Sequence, residues 1–429
     1  MADERDGSLA KKSGNGLTRR AALGRIAMIA GGVVAGKAAA QHWPADIFEP
    51  MHTLGAPMSD YGARSDYEGH VLRTVAGQDP RAGISRTPLA DLHGVITPSS
   101  LHFERHHAGV PSMDPADYRL LVHGMVDRAK VFTLDDLKRY PSRSIIRFIE
   151  CSGNGGTGYR STDPNVTAQG MDGLLSTSEW TGVPLSTLLQ EVGVDPRAKW
   201  LVAESFDAAA MTRSIPLEKA WQDILVAYGQ NGEAIRPEQG YPVRLMIPGW
   251  EGNAQVKWLR RIEIADEPFM TREETSKYTD LMPDGTARMF TFEMDAKSLI
   301  TFPSGGQQLQ GPGFYEITGF AWSGHGKISQ VEISTDGGET WQPAHLQQPV
   351  LRQAQTRFRY PWNWNGDEAV LMSRAIDETG YVQPTSEEFY AVRGHSYNYN
   401  FYHYNNIRSW HIDADGAVTF VPPPHLQAV

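Results

Sequence analysis

Cysteine is almost missing: Cys151 is the only one in 429 residues. A single thiol excludes an intramolecular disulfide, and it excludes C-x-x-C-H haem attachment in this chain. Basic excess is missing too. Lys and Arg number 40 against 50 Asp and Glu, a formal net charge of −10. That balance argues against nucleic acid or an anionic membrane as partner, since both require a basic surface. A clean membrane-length apolar run is also absent. The apolar stretch near the N-terminus is short and interrupted by Arg25 and Lys37. What remains is a globular composition, 40% hydrophobic and 21% charged with 42 glycines, which excludes disorder as the main state. The length exceeds what one core usually supports and predicts two or three domains.

Residues 1–40 read as an export signal. The pair Arg19-Arg20, with Leu23 beyond it, precedes a moderately apolar stretch ending at Ala38-Ala39-Ala40. Charged region, apolar region and small-residue site follow in the order of a secretory signal, and the arginine pair marks the twin-arginine route. That route carries folded proteins, and it predicts a periplasmic location. Removing 1–40 takes away seven Lys/Arg and three Asp/Glu, leaving 33 basic and 47 acidic residues and a net charge of −14.

Residues 41–94, rich in Gly, Pro, Ser and Asp, read as a loop-rich arm. From 95 to 270 short strands mix with short helices without βαβ alternation, which predicts an α+β domain. Strands are expected at 118–126, 145–150 and in KWLVAESF. Thr133 is placed to cap a helix over 134–140, and a further helix opens at Pro184 and stops at Gly193. Residues 271–289 are polar and weakly periodic, a linker. Over 290–395 short strands alternate with turns; Val331 and Ile333 alternate with polar neighbours, and Asp336-Gly337-Gly338 turns the chain back. That pattern predicts a β-sandwich of immunoglobulin type. Residues 396–429, aromatic and polar, read as a C-terminal packing arm.

Three clusters carry chemistry. Cys151 ends the apolar run Ile145, Ile146, Phe148, Ile149, and the loop Ser152-Gly153-Asn154-Gly155-Gly156 follows at once. Few side chains there let backbone amides approach a bulky anionic group. The thiol is then either a nucleophile, which needs a base, or a soft metal ligand whose companions come from a cofactor. Arg105, His106 and His107 concentrate donors. Adjacent histidines fit no common zinc spacing, and an anion suits them better. Arg244 and Lys257 flank the loop 249–253 and make a plausible phosphate cradle.

Together these clusters resemble the sulfite oxidase family of molybdenum enzymes. The resemblance runs in order through F-x-R-x-H-x-x-V-P at 103–111, C-x-G-N at 151–154 and S-I-P at 214–216. It continues through P-V-R-(x)3-P-G at 242–249 and V-K-W-L at 256–259, and closes with A-W-S-G and S-x-D-G-G-x-T-W at 321–341. It implies a sulfite-oxidase-type molybdopterin-binding domain followed by an immunoglobulin-like β-sandwich dimerisation domain. It implies a molybdenum–molybdopterin cofactor, with Cys151 as the metal ligand beside a pterin dithiolene and oxo groups. Phe103, Glu104, Arg105, His106 and His107, with Asp207, Gln239, Arg244, Gln255, Val256 and Lys257, would hold the pterin and its phosphate. Gln239 stands where relatives often carry histidine.

Several positions depart from the family. Sulfite oxidases carry arginine where this chain has Gly156, tyrosine where it has Met211, and a substrate arginine where it has Gly324-His325-Gly326-Lys327. These departures predict a weakened, opened anion pocket in which Arg105 orients substrate, with Lys327 and His107 as further candidates. No segment reads as a b-type haem domain. The pattern is most similar to the sulfane dehydrogenase branch of the family, in the Sox route of thiosulfate oxidation. That branch takes sulfane sulfur from a carrier-protein cysteine and passes electrons to a c-type cytochrome subunit. The implied assembly is a homodimer through the sandwich within a heterotetramer. Oxidation of free sulfite is the nearest rival reading. A methionine sulfoxide reductase, a cysteine hydrolase and a non-catalytic secreted binding protein are more distant ones.

Overall fold

The computed structural model describes residues 51–394 and 403–427. The expected export signal lies outside the described residues. Residues 51–71 belong to a unit of their own. It is irregular except for a 3-10 turn, Asp66–Glu68, capped by the Ser65 hydroxyl, which accepts from the Tyr67 amide.

From Leu72 the chain forms the second unit. Its first strands, β1 (Thr74–Gly77) and β2 (Ile84–Arg86), pair antiparallel, and β2 pairs antiparallel with β3 (Glu104–Arg105). Part of the expected arm is therefore sheet, because its backbone pairs with the first chemistry-bearing segment.

Two five-stranded sheets build the α+β domain. One runs in the order β5 (Lys130–Phe132), β4 (Leu120–Gly124), β13 (Leu259–Ala265), β8 (Trp200–Ser205), β9 (Thr212–Pro216). Within it β13 is parallel to β4, and the other pairs are antiparallel. The other runs β11 (Glu233–Ala234), β10 (Leu225–Gln230), β7 (Leu175–Pro184), β6 (Arg143–Glu150), with β12 (Arg244–Met246) also on β10.

Helices α1 (Leu134–Arg139), α4 (Leu185–Val192) and α5 (Leu217–Gln222) share one core with both sheets; α2 (Gly156–Arg160) and α3 (Ala168–Asp172) follow β6. The cap on α1 is reciprocal: Thr133 Oγ1 accepts from the Asp136 amide at 3.1 Å, and the Asp136 carboxylate from the Thr133 amide at 3.0 Å. Helix α4 ends at Gly193, whose φ of 69° suits a residue without Cβ. Leu185, Leu188, Leu189 and Val192 are buried, each stabilising the fold by about 1.5–3 kcal/mol.

The sandwich packs the sheet β16 (Lys297–Phe302), β17 (Gly313–Trp322), β21 (Thr356–Trp364), β20 (His345–Leu346) against a second one. The second runs β19 (Gln342–Pro343), β18 (Ile328–Ser334), β22 (Ala369–Asp377), β23 (Ser409–Ile412), β24 (Val418–Phe420). The expected hairpin is present, with Ile333 opposite Gln342. Among the described residues no helix is long and apolar enough to cross a membrane.

Two expectations change. Residues 403–420 are more than a packing arm: β23 pairs with β22, and Trp410 is fully buried with its indole N–H on the Ile300 carbonyl at 3.1 Å. Interspersed polar residues hide that strand: Ser409 and His411 are half-exposed and alternate with buried Trp410 and Ile412. The segment 271–289 is also more than a tether. It holds a π-helical turn, Glu273–Lys277, and a small hairpin of β14 (Asp280–Leu281) and β15 (Ala287–Arg288). Glu273, Glu274 and Asp280 are buried. Their partners include Arg213 on β9, 3.6 Å from Glu274, and Arg393 in α6 (Ser386–Arg393), bonded to Asp280.

Candidate active site

Strand β6 mounts Cys151. It pairs with β7 along its length, from Arg143 opposite Gly182 to Glu150 opposite Leu175. The Cys151 amide then donates to the Leu174 carbonyl at 3.0 Å, and the Asn154 amide turns back to the Cys151 carbonyl at 2.9 Å. The Cys151 side chain lines a concave pocket between the two sheets' loops. Burial pushes the thiol up, against a backbone hydrogen bond and the charge of Arg105. The hydrogen bond acting on the thiol comes from the Gly153 backbone, so no histidine base is engaged with it. Among the described residues no three His, Cys, Asp or Glu side chains converge as a metal set. A metal on Cys151 must take its remaining ligands from a cofactor.

The cavity gathers Phe103, Arg105, His106, His107, Asp207 and Gln239, together with Arg244, Gln255, Val256 and Lys257. Arg244, projecting from β12, donates to the carbonyls of Gln239 at 2.9 Å and Gln255 at 3.1 Å and lies 4.9 Å from the Trp180 ring centre. Burial lowers its pKa to about 9. The Lys257 ammonium donates to the carbonyls of Arg105 and Glu238 and meets His106 Nδ1 at 3.0 Å. Burial, with Arg244 adding repulsion, brings Lys257 to about 7. Among the described residues neither Arg244 nor Lys257 has a carboxylate partner within salt-bridge reach. Buried cations without a counter-charge favour an anionic ligand such as phosphate.

The remaining parts hold these groups still. Gln239 donates to the Phe103 carbonyl at 2.8 Å. Gln255 donates to the Trp250 carbonyl at 2.9 Å, and Asp207 accepts from the Ser205 hydroxyl. Glu104 does not line the cavity; it grips His106 Nε2 at 2.6 Å and Arg73 from behind. Burial alone would raise Glu104, but His106 and Arg73 outweigh it and hold it below the usual carboxylate range. Ala210 and Trp258, with φ of 45° and 50°, store backbone strain beside the site.

Besides Glu104, two further expectations change here. Lys327 is exposed at the sandwich edge, its amide on Glu378, and it is not among the lining residues. Neighbouring His325 faces a different cavity, between Glu293 and Asp295. Gly156 does not line the cavity either. It is buried, and a Cβ there would meet Arg160 Nη2 at 3.0 Å and Tyr404 at 3.4 Å, so its missing side chain does not widen the mouth. Met211 does line it.

Sequence reasoning missed His102, Asn253 and Tyr278. Asn253 lies in the glycine loop and could have been found there. Tyr278 comes from the apparent linker, and its hydroxyl sits 3.4 Å from His107 Nε2. Nothing local marked it.

His102 is fully buried, and burial drives its pKa to about 3. The unfolded chain then binds more protons than the native one between about pH 6.5 and 3. Stability is therefore lost as pH falls through that window. Unfolding free energies from urea titrations are expected to drop on the order of 4 kcal/mol across it, and His102→Gln should flatten the slope.

Fit to a bulky cofactor can be read from orphaned atoms. Both amide atoms of Asn253 and Nε2 of His102 are buried at the cavity without partners among the described residues. At Gly252 a Cβ would stand 2.8 Å from the Glu150 carbonyl oxygen and 3.2 Å from Cys151 Cα, so only glycine lets that loop lie against the backbone that carries the thiol. One soft thiol, cations without a carboxylate partner and unspent hydrogen-bonding groups suit a metal that arrives inside an anionic cofactor. Residues 107–273 match the oxidoreductase molybdopterin binding domain, and 288–409 the Mo-co oxidoreductase dimerisation domain. The chain belongs to the sulfite oxidase family of molybdopterin oxidoreductases, and molybdenum–molybdopterin is its cofactor.

Mitochondrial sulfite oxidase of Mus musculus is 30% identical over 386 residues, covering 82% of this chain and 68% of that protein. The NADH nitrate reductase of Solanum lycopersicum is 33% identical over 351 residues, 70% of this chain. This chain spans 37% of that reductase's length. Among solved structures, the sulfane dehydrogenase SoxCD from Paracoccus pantotrophus superposes with a TM-score of 0.84 at 44% identity. The match covers 89% of this chain and 99% of the solved one.

Proposed function

We propose that this chain is the molybdenum subunit of a periplasmic sulfane dehydrogenase. Its substrate is sulfane sulfur on a carrier-protein cysteine, its oxygen source is water, and its electron acceptor is a c-type cytochrome subunit. The 44% identity to a sulfane dehydrogenase supports this reading, and the Arg19-Arg20 signal supports export. The dimerisation-domain match supports a homodimer through the sandwich, here placed within a heterotetramer.

The observation that carries it is the cavity's charge. Free sulfite is a dianion at alkaline pH and needs several cations in a dry site. Arg105 is the cation whose charge reaches the Cys151 thiol. His107, at the mouth, is held to about 4 by desolvation with Arg105 and Lys257 adding, so it is neutral at neutral pH. Met211 and Ala209 add apolar wall. A less charged sulfur suits that pocket.

The cofactor supplies two-electron oxygen-atom transfer when bound. Cys151 would ligate the metal; Arg244, Lys257 and His106 would hold the phosphate, with Asp207, Gln239, Gln255 and Val256 along the pterin. Arg105 orients the substrate. His107 and Tyr278 offer neutral hydrogen bonds at the entrance. The test compares turnover of free sulfite with that of carrier-bound sulfane, cytochrome present. Efficient turnover of the sulfane form is expected; efficient use of sulfite alone would make the chain a sulfite dehydrogenase instead.

A further inference from the structure

The residue before the metal-ligand position is gripped from the other domain. Glu150 is buried at the end of β6. Its Oε1 accepts from the Asn154 side-chain Nδ2 at 2.9 Å and the Lys297 ammonium at 3.2 Å, and its Oε2 accepts from the Trp322 indole N–H at 2.6 Å. Lys297 opens β16 and Trp322 closes β17, and the strand register sets the two opposite each other. Lys297 also pairs with Asp172, at the end of α3, and Asp172 faces Arg408 Nε at 3.8 Å. Two carboxylates and two cations thus form a buried, charge-balanced cluster. It presses on the loop after Cys151. At Gly155, φ 86°, a Cβ would stand 2.9 Å from both Lys297 Nζ and Asp172 Oδ1, and Arg408 donates to the Gly155 carbonyl at 3.2 Å.

The bonds close on the thiol's own turn. Asn154 Oδ1 accepts from the Leu174 amide at 3.0 Å, while the Leu174 carbonyl accepts from the Cys151 amide at 3.0 Å. Fixing Glu150 therefore fixes Asn154, and Asn154 closes the turn that begins at Cys151. Buried ion clusters seldom stabilise a fold more than apolar packing of the same volume. A cluster set against one loop is better explained by the geometry it imposes. We propose that Lys297 and Trp322 are positioning residues for Cys151, so that the β-sandwich sets the direction of the metal-ligand sulfur as well as any contact between subunits. The inference rests on reading Cys151 as the molybdenum ligand.

The experiment uses the full-length, cofactor-loaded protein and the variants Trp322→Phe, Lys297→Met, Lys297→Arg and Cys151→Ser. Molybdenum content, thiolate-to-metal charge-transfer absorption, the Mo(V) paramagnetic spectrum, kcat, KM and melting temperature are measured on each. Trp322→Phe removes one hydrogen bond and no charge. It and Lys297→Met are expected to keep molybdenum while shifting both spectra, with kcat roughly tenfold lower at unchanged KM. Lys297→Arg should restore part of the signal. Wild-type spectra with only a lower melting temperature in both variants would overturn the inference. If Lys297→Met fails to fold, Trp322→Phe decides by the same criterion. Cys151→Ser separates the two levels. A serine variant with the wild-type spectra removes the ligand reading itself. Loss of the charge-transfer band there, with an unaltered Trp322→Phe spectrum, removes only the positioning role.

Discussion

Replacing Cys151 by serine is expected to lower turnover by more than a hundredfold while the chain still folds. Removal of a second-sphere partner from a metal site costs roughly 10–100-fold in affinity or activity, and a direct ligand should exceed that. A serine hydroxyl is harder and far less readily ionised than a thiol, so it replaces a soft ligand poorly. The loop's own bonds, Cys151 amide to Leu174 and Asn154 amide to the Cys151 carbonyl, use backbone only. Circular dichroism should therefore report an intact fold, while steady-state assays report the loss. A serine variant with wild-type turnover would deny the thiol its role.

The second large effect lies away from the cavity. Arg213 on β9 is fully buried, 3.1 Å from Glu251 and 3.6 Å from Glu274, and both carboxylates are buried as well. Arg213→Met keeps most of the volume but removes the guanidinium from both acids, leaving His403 Nε2 at 3.2 Å from Glu251 and the Ser214 amide at 2.8 Å on Glu274. Breaking a buried pair in this way costs about 3–5 kcal/mol, and the denaturation midpoint should fall accordingly. Arg213→Lys should recover only part, because an ammonium cannot reproduce the guanidinium fork. The loss should also reach the active site. The Arg213 guanidinium lies 5.4 Å from the ring centre of Tyr278, which lines the cavity. A rise in KM is expected alongside the instability, and a change below about 1 kcal/mol would show the pair to be dispensable.

The sequence was most readable where function constrains backbone and side chain together. The strand before Cys151, the glycine loop and the cation positions 105, 244 and 257 stand close in the chain or carry ordered motifs. The structure brings them to one cavity. The capped helix at Thr133 and the Pro184–Gly193 helix were readable because caps and breakers act locally. Buried charge was not. Lys297, Glu274 and Arg408 have the composition of surface residues, and only their long-range partners reveal that they are inside. Lys327 erred in the opposite sense: a cation at the family's loop position, yet turned to solvent by its bonds to Glu378. Gly156 misled for a related reason, since Tyr404, 248 positions later, fills the space beside it.

Arg408 sets an order in time. Its guanidinium reaches the Gly155 carbonyl across 253 positions. Domains emerging from the ribosome fold N-terminal part first. The strands around Cys151 can therefore pair while Lys297, Trp322 and Arg408 are still to be made. Until Arg408 arrives, the loop beside the thiol lacks part of its outer wall. The wall beside the thiol is thus closed by a residue synthesised 253 positions after Gly155, in keeping with the folded state that the proposed twin-arginine export requires.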